Sequence, residues 1–196
     1  MNKKEIQEQR VKGYFIAATK DILKSEGLKS VSVRNIADRA GYSFATLYNY
    51  FKDVKDLVFL CVKDFREECR EHVAGRTAAI TPGNKRLKAT ILAYMEYFIQ
   101  YPGIFELFFA EQLSQIDDKG ATTALVTSLL EELCAADWAY CIDKRMLTGR
   151  EATLKKAALL YGVTGLLTLY LNRRYPESYA AFQKQAGNLI DGQLKN

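Results

Sequence analysis

Apolar residues recur every three or four positions along most of the chain, which is the spacing of a helix face. Val11, Tyr14, Phe15, Ala18, Ile22 and Leu23 form such a stripe over residues 4–25, and Gly27 stops it. Val33, Ile36, Ala37 and Ala40 form another over 33–40, with Ser32 placed to cap it. Gly41-Tyr42-Ser43 interrupts the pattern, and 44–51 reads as a further short helix with Ser43 as its cap. A longer helix is predicted from about Asp53 to Val73, where Asp53 and Asp56 complement the helix dipole. The clearest break is Gly75 to Asn84, which contains Thr81-Pro82-Gly83-Asn84. Beyond it, helices are predicted over 85–101, ended by Pro102-Gly103, and over 104–115, 122–146, 151–173 and 177–194. Residues 117–120 read as a loop, and Pro176 as a first-turn residue of the last helix. The chain is therefore expected to be all-α, with about nine helices.

Charge adds a boundary to this picture. The total is +5, from 28 Lys and Arg against 23 Asp and Glu. Residues 1–52 hold ten bases (Lys3, Lys4, Arg10, Lys12, Lys20, Lys24, Lys29, Arg34, Arg39, Lys52) and five acids (Glu5, Glu8, Asp21, Glu26, Asp38). The remaining 18 bases and 18 acids cancel, so the whole excess lies in the first quarter of the chain. Such asymmetry suggests a segment facing a polyanion, joined to a neutral body. A composition 48% hydrophobic and 26% charged is that of a folded chain. Its longest charge-free run, Ala157–Asn172, falls short of the ~20 apolar residues of a membrane span. The N-terminus lacks an apolar signal-like stretch, so a cytoplasmic protein is expected.

Reactive side chains are sparse. Cys61, Cys69, Cys134 and Cys141 include no Cys-x-x-Cys pair, and His72 is the single histidine. A zinc site needs such ligands at short fixed spacings, so no metal or cofactor is expected. The cysteines read as small core hydrophobes, with redox sensing as the alternative. Nucleophilic, phosphate-cradling and paired-carboxylate motifs are missing too, and Glu131-Glu132 reads as a helix-surface pair. An enzyme is not expected.

Three helices within the basic quarter, the second and third short and separated by a glycine turn, make a helix-turn-helix over about 32–51. Small Ala37 and Ala40 allow close helix approach, and Leu47 and Phe51, four apart, are expected to face the core. The run from Gly27 through Ser32-Val33-Arg34, Ile36-Ala37, Ala40-Gly41, Ser43, Thr46-Leu47-Tyr48, Tyr50-Phe51, Lys55 and Leu57 resembles the DNA-binding domain of TetR-family transcriptional regulators. The resemblance is dense over about 30 residues and looser over 10–60. Tyr42 stands where the family usually has Val, and Ala45 where Gly is common.

The resemblance implies a DNA-binding domain over 1–55 and a helical ligand-binding and dimerisation domain over 56–196. It implies phosphate contacts from Ser32, Arg34, Tyr48, Tyr50 and Lys55, and major-groove contacts from Ser43, Phe44, Ala45, Thr46 and Asn49. The Phe44 ring and Ala45 methyl suit thymine methyl groups. Alternatives stay open for three of these: Tyr50 also suits the core, Asn49 a solvated position, and Arg34 an i,i+4 ion pair with Asp38. A homodimer reading two half-sites of a palindromic operator is implied, its interface drawn from Leu159, Val163, Leu166, Tyr170, Phe182, Leu189 and Ile190. An aromatic-rich middle, with Tyr94, Phe98, Phe105, Phe109, Trp138 and Tyr161, suits a small lipophilic or aromatic effector. The helix from Asp53 to Val73 would carry the ligand's influence to the DNA-reading head. The expected function is a ligand-released repressor. The alternative is a helix-turn-helix activator or architectural factor without an effector.

Overall fold

A computed structural model describes residues 2–110, 121–172 and 175–195. Among them lie nine α-helices and no strand. They are α1 (Lys3–Ser25), α2 (Val33–Ala40), α3 (Phe44–Tyr48), α4 (Val54–Thr77), α5 (Asn84–Gln100), α6 (Pro102–Phe109), α7 (Ala121–Asp143), α8 (Gly149–Leu171) and α9 (Tyr179–Leu194). The all-α architecture follows the periodicity of the sequence, and the element ends follow local chemistry. Two compact units emerge. One comprises Met1–Arg66 and Tyr101–Val126, and the other Glu67–Gln100 and Thr127–Asn196. The expected division at residue 55 falls within α4.

Several element ends differ from the periodicity. The third helix stops at Tyr48, because Asn49 and Tyr50 turn their N–H groups to the carbonyls of Thr46 and Leu47, three residues back. That tighter turn brings Phe51 into the core. α4 runs through Gly75 to Thr77, whose hydroxyl bonds back to the Val73 carbonyl while Arg76 pairs with Glu96 at 2.9 Å. α5 ends at Gln100, just ahead of Pro102 as expected, and Pro102 also opens α6 two residues before the predicted start, where its missing N–H costs nothing. Pro176 lies before α9, which Ser178 caps by accepting from the Ala181 N–H at 3.2 Å. Residues 111–115 of the predicted 104–115 helix, the 117–120 loop and Arg173 of the predicted 151–173 helix lie outside the described residues.

The first unit, the head, is built on α1. Its inward face supplies Val11, Phe15, Ala18 and Ile22 to a core closed by Ile36, Leu47, Phe51 and Leu57. The Phe15 ring is the hub, with the rings of Tyr42 at 5.5 Å, Tyr50 at 6.4 Å and Phe51 at 6.2 Å. α6 docks on the C-terminal end of α1. The approach there is so close that a Cβ on Gly103 would stand 2.5 Å from the Leu23 carbonyl oxygen, so no other residue fits without displacement. Glu26, at the end of α1, pairs with Arg39 of α2.

In the second unit, α5, α8 and α9 pack around Leu87, Ile91, Leu159, Val163, Leu167, Phe182 and Ile190. Buried Asp137 of α7 accepts from the Gly83 N–H at 3.0 Å and from Arg86 Nε at 2.9 Å, which fixes the start of α5. All four cysteines are buried free thiols. Burial pushes Cys69 and Cys134 up to about 12 and raises Cys141 as well, so these three remain protonated near neutrality. Their setting is that of core residues, not of reactive thiolates.

Candidate nucleic-acid interface

The helix-turn-helix follows from three local features. Ser32 caps α2 by accepting from the Asn35 N–H at 3.2 Å, and Ser43 caps α3 by accepting from the Thr46 N–H at 3.1 Å. Between them Gly41 adopts φ 74°, a left-handed conformation that lets the chain reverse between two short helices. The inward faces, Ile36 and Ala37 on α2 and Leu47 on α3, are buried and hold the pair against α1.

What remains outside is a small surface of mixed chemistry. Phe44 is 65% exposed and Tyr48 56%, which is unusual for rings of that size beside a core with room for aromatics. Ala45 and Asn49 are exposed beside them, and Thr46 is half-buried with its hydroxyl 2.9 Å from that of Ser43. Arg34 is exposed at the start of α2 and makes no ion pair with Asp38 among the described residues. Lys55 is exposed in the first turn of α4, where its backbone N–H donates to Asp53 Oδ1 at 3.1 Å. Tyr50 is half-buried, packed against the core. Tyr42, the residue that departs from the resembled pattern, fills a place between Phe15 and Tyr14, with ring centroids 5.5 and 6.1 Å away. The fold thus gathers Ser32, Arg34, Ser43, Phe44, Ala45, Thr46, Tyr48, Asn49, Tyr50 and Lys55 into one unit, on α2 and α3 with their caps, the turn that follows them and the first turn of α4.

The six aromatic residues expected around a ligand divide. Phe105 and Phe109 form a ring pair at 5.0 Å on α6 in the head unit. Tyr94 and Phe98 are fully buried on α5, 4.9 Å apart, in the core of the second unit. Trp138 and Tyr161 come together on the wall of a groove of about 280 Å³ between α7 and α8, floored by Ile91, Leu130 and Leu159. Its mouth carries an ion pair, Lys156 to Glu131 at 3.0 Å, flanked by Thr127 and Thr153. The sequence reads Glu131 as half of a helix-surface pair with Glu132 and gives Lys156 no role. The signal that could have found them is their registration on facing helices, which periodicity does not encode.

The residues expected at a dimer interface are also placed unevenly. Leu159, Val163, Phe182 and Ile190 are buried within the one chain, packing α8 on α9, while Leu166, Tyr170 and Leu189 are half-buried. The face of α8 left open carries Leu154, Tyr161 and Leu169, 65%, 74% and 44% exposed, with Gly165 between the last two.

Comparison with known proteins agrees with this head. Residues 15–60 match the model of bacterial regulatory proteins of the tetR family. The HTH-type transcriptional regulator BetI of Klebsiella pneumoniae (strain 342) is 32% identical over 79 residues, a match spanning 39% of this chain and 40% of that protein. Among solved structures, the TetR-family regulator PfmR of Thermus thermophilus superposes with a TM-score of 0.65 over 92% of this chain and 96% of its own, at 16% identity. The regulator FadR of Bacillus subtilis, solved with stearoyl-CoA, does so with a TM-score of 0.68 over 93% and 97%, at 14% identity. At those identities the structural likeness establishes the fold.

Proposed function

We propose that the chain, whose residues 15–60 match the tetR family of bacterial regulatory proteins, is a DNA-binding regulator of transcription of that family and acts as a cytoplasmic repressor. It binds a palindromic operator as a homodimer and leaves it when a small lipophilic or aromatic effector binds. The observation that carries this reading is the exposed face of α3: apolar and polar side chains stand uncovered on a helix capped by Ser43, within the quarter of the chain that holds all of its excess positive charge. Residues 1–55 are the DNA-reading domain. Ser32, Arg34, Tyr48, Tyr50 and Lys55 hold phosphates, and Ser43, Phe44, Ala45, Thr46 and Asn49 meet base edges.

Residues 56–196 bind the effector and the partner subunit. One such head makes too few contacts for tight specific binding, so two are joined. Support for the joint comes from α8: its most apolar window has a mean hydropathy of 1.2, yet only 17% of it is buried in one chain. A second copy covering Leu154, Tyr161, Gly165 and Leu169 removes that surface from water, while the seven residues expected from the sequence hold α8 and α9 together beneath it. The effector occupies the α7–α8 groove, its apolar body against Trp138 and Leu160 and a polar group at the Lys156–Glu131 pair.

Trp138 is the single tryptophan, so its fluorescence reports on that groove. A compound that releases the protein from DNA is expected to change Trp138 emission over the same concentration range. Release with unchanged Trp138 emission contradicts the assignment of the groove.

A further inference from the structure

The family match begins at residue 15, but α1 begins at Lys3. From Asn2 to Arg10 no side chain is buried, so this stretch of helix adds nothing to the core of the head. It is nevertheless secured at its start. Asn2 Oδ1 accepts from the Glu5 N–H at 2.9 Å, and Glu5 Oε2 accepts from the Asn2 N–H at 2.8 Å, a reciprocal cap that closes the first turn. A short helix without packing is marginal in water, so the question is what the extension touches.

Its side chains are sorted by face. Lys3, Gln7, Arg10 and Tyr14 follow at spacings of four, three and four, which places them on one stripe. Glu5 and Glu8 lie on the other side of the helix, and Glu5 is engaged in the cap. All four stripe residues are exposed, and no ion pair within the described residues occupies Lys3 or Arg10. The stripe therefore presents an ammonium, an amide, a guanidinium and a phenol hydroxyl, every one a hydrogen-bond donor, with no carboxylate among them. Its position relative to the DNA-reading surface is fixed by Tyr14, whose ring lies 6.1 Å from that of Tyr42 in the turn between α2 and α3. From there the stripe runs about 16 Å along α1, at 1.5 Å per residue, to Lys3.

We propose that this face of α1 is a second DNA contact, binding backbone phosphates beyond the bases read by α3. It rests on the reading of the head as a DNA-binding domain. The contacts are sequence-independent, since they engage phosphate alone. They lengthen the footprint of each head, and they account for a capped helix that contributes nothing to the core.

The test uses the full chain and a labelled mixed-sequence DNA duplex, with affinity followed by fluorescence anisotropy across a range of salt concentrations. The variant is Lys3→Gln with Arg10→Gln, and the control is Lys85→Gln with Lys184→Gln, which removes equal charge from exposed positions of the other unit. All four positions are exposed, so helix content and unfolding temperature are expected to match the wild type. The slope of log affinity against log salt is expected to fall by about two for each engaged head in the variant, at roughly 0.9 per phosphate, and to stay unchanged in the control. At about 0.1 M salt the variant is expected to bind at least tenfold more weakly, and Tyr14→Phe measurably more weakly. Equal slopes and affinities for variant and control overturn the proposal. Failure of the wild type itself to bind the duplex overturns the DNA-binding reading, and this proposal with it.

Discussion

Phe44 and Lys55, eleven residues apart, are assigned different work on DNA in the proposed function. Phe44 is a large ring held out in solvent at the start of α3, and the partner proposed for it is a thymine methyl at a base edge. Phe44→Ala is expected to lower discrimination between operator and scrambled duplex by about tenfold, within the ~1–3 kcal/mol of one good base contact, while leaving binding to scrambled duplex nearly unchanged. Lys55→Ala is expected to weaken both and to reduce the salt slope by about one per head. Parallel titrations of the two duplexes separate these outcomes, and unchanged discrimination in Phe44→Ala removes that ring from the groove. The buried thiols give a prediction of the opposite kind. Cys69 and Cys134 hold their protons to about pH 12 in the folded chain, whereas an ordinary thiol gives its proton up near 9.0. Between those values the unfolded chain binds fewer protons, so stability falls as pH rises, by about 1.4 kcal/mol per pH unit for each thiol. Denaturant midpoints measured from pH 8 to 10 should decline more steeply for the wild type than for Cys69→Ala with Cys134→Ala. Parallel curves would place these thiols in a more polar setting.

The helices themselves were legible because local chemistry determines them. Ser32, Ser43 and Gly41 announce the two caps and the turn, and Leu47 and Phe51 announce the inward face. The misread ends share one cause: each was decided by a partner distant in sequence or by a short backbone bond. Thr77 stays helical past an exposed Gly75, in a last turn tied by Arg76 to Glu96, and Phe51 leaves the helix to reach Phe15. The groove was partly legible. Trp138 and Tyr161 were chosen for being aromatic, but Lys156 and Glu131 meet only through the pairing of α7 with α8. Gly103 was read as a helix end, and its true constraint is the α1 carbonyls pressed against it. Gly103→Ala is therefore expected to destabilise the chain by about 1–3 kcal/mol, the usual cost of overpacking. Thermal unfolding reads this directly, and a variant as stable as the wild type shows that α6 moves aside at no cost.

At the scale of the whole molecule, charge and exposed apolar surface divide the labour. Excess positive charge is confined to residues 1–52, and the remainder of the chain sums to zero, so attraction to phosphate is concentrated on the segment from α1 to α3. The uncovered stripe of α8, with Leu154, Tyr161 and Leu169, is the surface proposed for a second copy. In the proposed dimer, two heads joined in this way would read two copies of one short sequence related by a two-fold axis. The most direct test is selection of bound duplexes from a random-sequence pool by the purified full-length protein, followed by sequencing. The account predicts enrichment of an inverted repeat whose half-sites are centred about one helical turn, or a multiple of it, apart. Enrichment of a single asymmetric site, or of no sequence at all, would contradict it.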